Sequence, residues 1–502
     1  MKTIDQIVLF SSIVLFLGCN SVPQSFEISK SLPDIYPDYT NLTIPVNIAP
    51  LNFMMTNAEQ IVANYYGKEK SFSVRGKDRI DISVKKWKKL LQTNVGDTIW
   101  LEITAKQSGY WVQYPKTMYF VSPDSIDPYL VYRKIAPGFN EWNLMGLYQR
   151  NLESFEEEPI ITNAHTKKNC MNCHTFCMND PNAMVFHFRQ KYGGTCLLSN
   201  GVLSRLETKT DQTISNCVYP YWHPSGKFIA FSTNLTSQSI HARHDLNIEV
   251  YDSASDIVIL DMERNELFTD SLISLQHTME TYPAFSPDGK KLFFCSSVLP
   301  KKLPEDYHLI KYSMCCIDFD PETKKFGEKA DTLISSCKVN KSVSFAHPSP
   351  DGKYMLCTLS DYGCFPSWND ESDLYLFDLE TFELTDLHLI NSPYAEGFTS
   401  WSSNGKWISF SSRRDDRQYS RLFFSHIDQS VTSEKAFVLP QKNPENNIMN
   451  LYSFNKPELV KAKLSLKPRE IVKMAKTKST QVNFAGKSYI KNASRRTETE
   501  VN

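Results

Sequence analysis

A turn motif that recurs four times in the second half of the chain constrains its fold more than any other feature. It occupies Tyr219 to Gly226, Tyr282 to Gly289, His347 to Gly352 and Trp401 to Gly405. In each case an aromatic or apolar strand enters, a polar stretch leads to Gly, and Lys followed by an apolar run leaves. Asp-Gly or Asn-Gly at such a place supplies the positive φ that a tight hairpin needs. The glycines lie 63, 63 and 53 residues apart, one propeller blade with variable loops. A second hairpin follows the turn: Asp256 to Asp261 leads into Glu263, and Asp373 to Asp378 leads into Glu380. Two hairpins make four antiparallel strands, which is one blade. The spacing predicts an all-β propeller of five or six blades over 183–440, with Thr195 to Thr208 joining strands from the C-terminal end.

These turns resemble the Pro-Asp-Gly repeats of the TolB-type β-propeller. A longer likeness joins Ile44 to Phe53, Asn169 to His174, Tyr219 to Gly226 and Trp401 to Lys406. On those segments the chain resembles exported Bacteroidetes-type proteins that carry Cys-x-x-Cys-His ahead of a TolB-like propeller. That resemblance implies the layout of the chain and no particular activity.

The string Cys170-Met171-Asn172-Cys173-His174 has the spacing of a c-type haem attachment site. Two thiols three positions apart form thioethers with one porphyrin, and the adjacent His ligates the iron. With 12 Cys and 11 His in 502 residues, chance yields roughly 0.006 such strings. Covalent haem requires export, and the N-terminus has the shape for it. Ile7 to Leu17 is too short for a membrane span, and Gly18-Cys19 resembles a lipobox. The expectation is a signal peptide over 1–18, lipidation at Cys19, and a periplasm-facing anchor, with the outer membrane's inner leaflet favoured. The second axial ligand is expected at His187, with Met178 and Met184 as alternatives and His165, His223 and His241 behind them. Cys177 with Cys170, Cys173 and His174 also makes a Cys₃His set chemically suited to zinc.

Residues 19–35 read as a linker. Residues 36–128 read as an immunoglobulin-like β-sandwich, because Ile99, Leu101 and Ile103 alternate with polar neighbours. Ser83 precedes a short helical turn carrying Val84, Trp87 and Leu91. Residues 129–182 read as an irregular connector holding the haem motif, and 441–502 as an extension disordered at its end. From Lys456 onward there are 12 Lys or Arg and 4 Asp or Glu. Nine cysteines remain after Cys19, Cys170 and Cys173, an odd number, so a disulfide framework is not expected.

A formal net charge of −1 gives no reason to expect nucleic-acid binding. No Gly-x-Ser-x-Gly elbow and no phosphate-binding glycine loop occur, which argues against hydrolase or nucleotide chemistry. The reading is therefore an exported lipoprotein with one covalent haem c. Its propeller docks a periplasmic or envelope redox protein for electron transfer or redox sensing. The alternative is a haem-free TolB-like interaction or ligand-binding module.

Overall fold

The computed structural model describes residues 25–136, 144–240, 248–427 and 433–486. The expectations for the signal peptide, Cys19, His241 and the last sixteen residues lie outside these. The chain is all-β, and six blades of four or five strands form a propeller.

Ring closure draws on both ends of the propeller sequence. Blade 1 consists of Tyr129–Ile135, Met145–Asn151 and Glu157–Thr162, with Ser453–Val460 as its innermost strand. The innermost strands of blades 2 to 6 are Met171–Phe176, Cys217–Trp222, Thr278–Phe285, Ser342–Pro348 and Glu396–Trp401. Two features of the reading change. Residues 129–182 are not an irregular connector but blade 1 and the start of blade 2. Residues 453–460 of the expected extension also belong to the propeller, as the strand that closes blade 1. Beyond the closing strand, helix Pro468–Ala475 buries Ile471 and Met474, and Thr480–Gln481 and Asn483–Phe484 add parallel outer strands to blades 2 and 3. Such additions cover sheet edges that would otherwise be free to pair.

The repeated turn joins the first and second strands of its blade. In blade 4 the Gly289 amide donates to the Ser286 carbonyl at 2.8 Å. Ser286 Oγ donates to Asp288 at 2.6 Å and accepts from the Lys291 amide at 2.9 Å. Gly289 has φ 73°, which a side chain tolerates poorly. Blade 2 turns differently: the Cys177 amide bonds the Ala183 carbonyl at 3.0 Å, so Cys177 takes the place of Ser286.

The N-terminal unit also departs from the reading. Its seven-stranded sheet is mixed, with Glu27–Ile28 parallel to Tyr110–Gln113 and Leu42–Pro45 parallel to Thr117–Ser122. One face is covered by helix Val84–Gln92, whose Trp87 packs edge-on against Tyr65 and Tyr119. A helix, not a second antiparallel sheet, therefore buries the alternating residues Ile99, Leu101 and Ile103. This unit shares one apolar core with blades 5 and 6. Asp127 clamps the join by accepting from the Ser403 amide and hydroxyl, both at 2.7 Å.

Candidate functional site

Every innermost strand breaks its register once, and at each break one residue adopts a positive φ. These residues are Lys456, Cys173, Tyr219, Tyr282, Phe345 and Phe398, one per blade, with φ from 48° to 53°. Such a bulge re-aims side chains and disturbs the alternation of a strand. Four of the six are aromatic, and their rings pack in sequence around the axis. Tyr219 to Tyr282 is 4.5 Å between centroids, Tyr282 to Phe345 4.3 Å, and Phe345 to Phe398 4.7 Å. Cys173 and Lys456 occupy the two positions that complete the girdle.

At one end of the axis lies a cavity of about 940 Å³, bordered by Cys170, Cys173, His174, Arg133, Arg189 and aromatic residues of blades 5 and 6. That is within the size of sites that enclose a single organic ligand, roughly 300–1,000 Å³. Residues three apart on a regular strand face opposite ways. The bulge at Cys173 removes that conflict, and Cys170 and Cys173 both border the cavity.

His174 is fully buried beside Phe176. Neither ring nitrogen makes a hydrogen bond of ordinary geometry, although the backbones of Val131 and Lys456 face the ring. Burial, reinforced by the Lys456 charge, holds its imidazole well below the usual histidine range. The ring is therefore neutral, which is the form that ligates metals. The main chain around it is fixed by the closing strand. Lys456 Nζ donates to the His174 carbonyl, and Glu458 accepts from the Phe176 amide at 2.9 Å. Burial raises the Cys170 thiol above its ordinary range, against the pull of Arg133 and Arg189.

The structure does not gather the other expected ligands here. His187 is buried toward blade 3, with Nδ1 3.1 Å from Thr195 Oγ and its ring 5.9 Å from Phe231. Burial pushes it down to about 3. Met184 lies in the apolar layer between blades 1 and 2, and Met178 is half-exposed in the blade 2 turn beside the opposite end of the axis. His165 is exposed and bonds Thr162 Oγ at 2.7 Å. Both nitrogens of His223 are engaged, with Ser225 Oγ at 2.7 Å and the Gly289 carbonyl at 3.0 Å. Cys177 packs toward blade 3, its thiol 3.6 Å from the His223 carbonyl, so the Cys₃His set is not assembled. Among the described residues no group of three or more His, Cys, Asp or Glu is placed to hold a metal ion. The reading missed the aromatic girdle and the Arg133–Arg189 pair. Tyr219-Pro and Tyr282-Pro, repeated at one distance before the turn, were the available signal for the first.

The fold and cavity define a six-bladed β-propeller with an axial pocket and an N-terminal mixed β-sheet unit. No protein-family profile and no curated protein matches the chain. Solved structures align with parts of the chain at low similarity. A prolyl endopeptidase aligns at 11% identity and TM-score 0.37 over 63% of this chain, which spans 42% of that enzyme's length. The periplasmic gluconolactonase PpgL of Pseudomonas aeruginosa aligns at 12% and 0.34, over 62% of this chain and 96% of its own. A DUF4784 family protein of Bacteroides caccae aligns at 9% and 0.31, over 72% and 98%. At these similarities the likeness carries nothing about activity.

Proposed function

We propose that the chain is an exported lipoprotein whose axial cavity holds one c-type haem for periplasmic electron transfer or redox sensing. Cys170 and Cys173 would carry the thioethers and His174 would ligate the iron. One observation carries this reading: a fully buried imidazole whose nitrogens make no hydrogen bond of ordinary geometry stands beside two cysteines on the wall of a ligand-sized cavity. Leaving such a group unpaired costs about 1–3 kcal/mol, so a ligand there offsets a real penalty. The group would supply one-electron chemistry.

The chain's own residues do the rest. Lys456 and Glu458 fix the backbone of His174 and Phe176, burial keeps the imidazole neutral, and the girdle closes one side of the cavity. The propeller rim would dock a periplasmic or envelope redox protein. The test is a pyridine haemochrome spectrum of the full chain made in a host that matures cytochromes c. A c-type band that stays with denatured polypeptide is expected, and replacing both Cys170 and Cys173 by Ala should abolish it, because pyridine takes the place of His174 in this assay and the thioethers alone retain the haem. Absence of the band beside a working control cytochrome overturns the reading.

A second reading is favoured by the bulge itself. Because all six blades carry it, Cys173 needs no haem to explain its backbone. On that reading the cavity of a haem-free envelope module receives an organic ligand.

A further inference from the structure

The wall of the axial cavity is divided chemically. Arg133 of blade 1 and Arg189, which follows the second strand of blade 2, stand together near Cys170 and Cys173. Neither has a carboxylate partner among the described residues. Arg133 Nε is buried and bonds nothing. Arg189 meets only a neutral group: the Asn172 amide oxygen, once turned toward it, accepts from Nη2 at 3.0 Å and Nε at 3.1 Å. Lys167 and Lys168 add two exposed cations beside them. Among the described residues the one carboxylate on the cavity wall, Glu396, is taken by Arg414 at 3.1 Å and by the hydroxyls of Ser392 and Ser412 at 2.6 and 2.8 Å.

The opposite wall is apolar. Blade 5 stands three places from blade 2 in a ring of six, hence across the axis. It contributes Phe345, Phe365 and Trp368, and Phe398 of blade 6 extends the surface. Arg413 stacks over Trp368 at 3.5 Å and donates to the Ser367 carbonyl, so it belongs to that wall's own packing.

Two guanidinium groups facing one cavity repel each other, and burying Arg133 without an acid carries a desolvation cost that an anion in the cavity would offset. Arg133 makes no side-chain hydrogen bond among the described residues, and Arg189 keeps its Nη1 edge beyond the contact with Asn172, so both can donate to one carboxylate. We infer that Arg133 and Arg189 form a carboxylate-binding site, and that the cavity takes a planar, largely apolar organic acid with its ring body against Phe345, Phe365, Trp368 and Phe398. The carboxylate can come from either of two sources: the propionates of a haem held at Cys170 and Cys173, or a free aromatic acid. The inference shares the cavity with the proposal above and does not depend on covalent attachment.

The full chain made without haem maturation is titrated with 1-pyrenebutyrate and with its uncharged methyl ester, followed by probe fluorescence. The acid is expected to bind about tenfold or more tightly than the ester, and Arg189→Gln and Arg133→Gln should each erase most of that preference. Arg189 is exposed at the mouth, so its variant keeps the test open if Arg133→Gln fails to fold. Equal binding of acid and ester, a preference that survives both substitutions, or no binding overturns the inference. Repeating the titration on haem-loaded chain identifies the source. Lost acid binding assigns the site to the propionates, and retained binding assigns it to a free acid. A negative haemochrome result removes the first source and leaves the haem-free titration as it stands.

Discussion

Replacing His174 by leucine has opposite consequences for the haem-loaded and the haem-free chain. In the haem-free chain both ring nitrogens are buried without a hydrogen bond of ordinary geometry, with only the backbones of Val131 and Lys456 facing them, and burial keeps the ring neutral. Each unsatisfied polar atom of this kind costs about 1–3 kcal/mol, whereas leucine fills similar space without that penalty. Edge contact with Phe176, 6.4 Å between centroids, is worth about 0.5–1.5 kcal/mol and is the main loss. The balance predicts that His174→Leu leaves the haem-free chain more stable by about 0.5–5 kcal/mol, at the lower end if the Val131 and Lys456 backbones partly satisfy the ring. Urea unfolding followed by tryptophan fluorescence measures it. With haem bound, the same change removes the iron ligand, so the spectrum shifts and the loaded chain unfolds earlier. A haem-free variant destabilised by more than about 2 kcal/mol would refute the reasoning, because the imidazole would then be making interactions that its surroundings do not show.

Further expectations concern the buried groups and turns. Burial pushes His347 from 6.5 to about 4 and His187 to about 3, so the unfolded chain takes up protons that the native state refuses. Their stabilisation is complete above pH 6.5 and is lost as pH falls toward those values, on the order of 3 kcal/mol or more each, and His187→Phe should flatten the acid limb of a pH–stability curve. Gly289→Ala should cost more than Gly226→Ala in thermal melts. Both have φ above 70°, but a Cβ at 289 lies 2.3 Å from His223 Nε2 while one at 226 meets nothing within 4 Å. About 1–2 kcal/mol is expected at 226 and about 2–4 at 289. Among the described cysteines of the native haem-free chain, Cys337, Cys315 and Cys173 should react with a thiol reagent. Cys217 and Cys357, buried and pushed up to about 12, should not. Covalent haem should remove Cys173 from the reactive set, as counting thiols before and after maturation would show.

The propeller was legible in the sequence where its chemistry is local. Gly226, Gly289, Gly352 and Gly405 announce their turns because a positive φ is a property of single residues. Blade 2 was hidden because Cys177 and Asp180 replace the usual Ser and Asp-Gly, and blade 1 because its innermost strand pairs Tyr129 with Val460, far apart in the chain. Cys-x-x-Cys-His stood out as a string, but its place on a bulged strand depends on register, which no spacing reveals. The mixed N-terminal sheet was read as a sandwich because alternation at Ile99, Leu101 and Ile103 shows that a face is buried and not what buries it. Arg133 and Arg189 meet only through the packing of two blades.

Closure by Ser453–Val460 also sets an order of events. The strand that supplies Lys456 and Glu458 to the His174 segment follows the innermost strands of the other five blades in sequence, so it is made after all of them. It must find Tyr129–Ile135 across about 330 residues, a slow contact by its sequence separation. Until it docks, Cys170 to His174 border an open gap between blades. On the proposals above, a haem or an acid would enter most readily through that gap. Once the clasp is shut, exchange from that side would require the closing strand to peel away, so the contents of the cavity would be set when the ring closes.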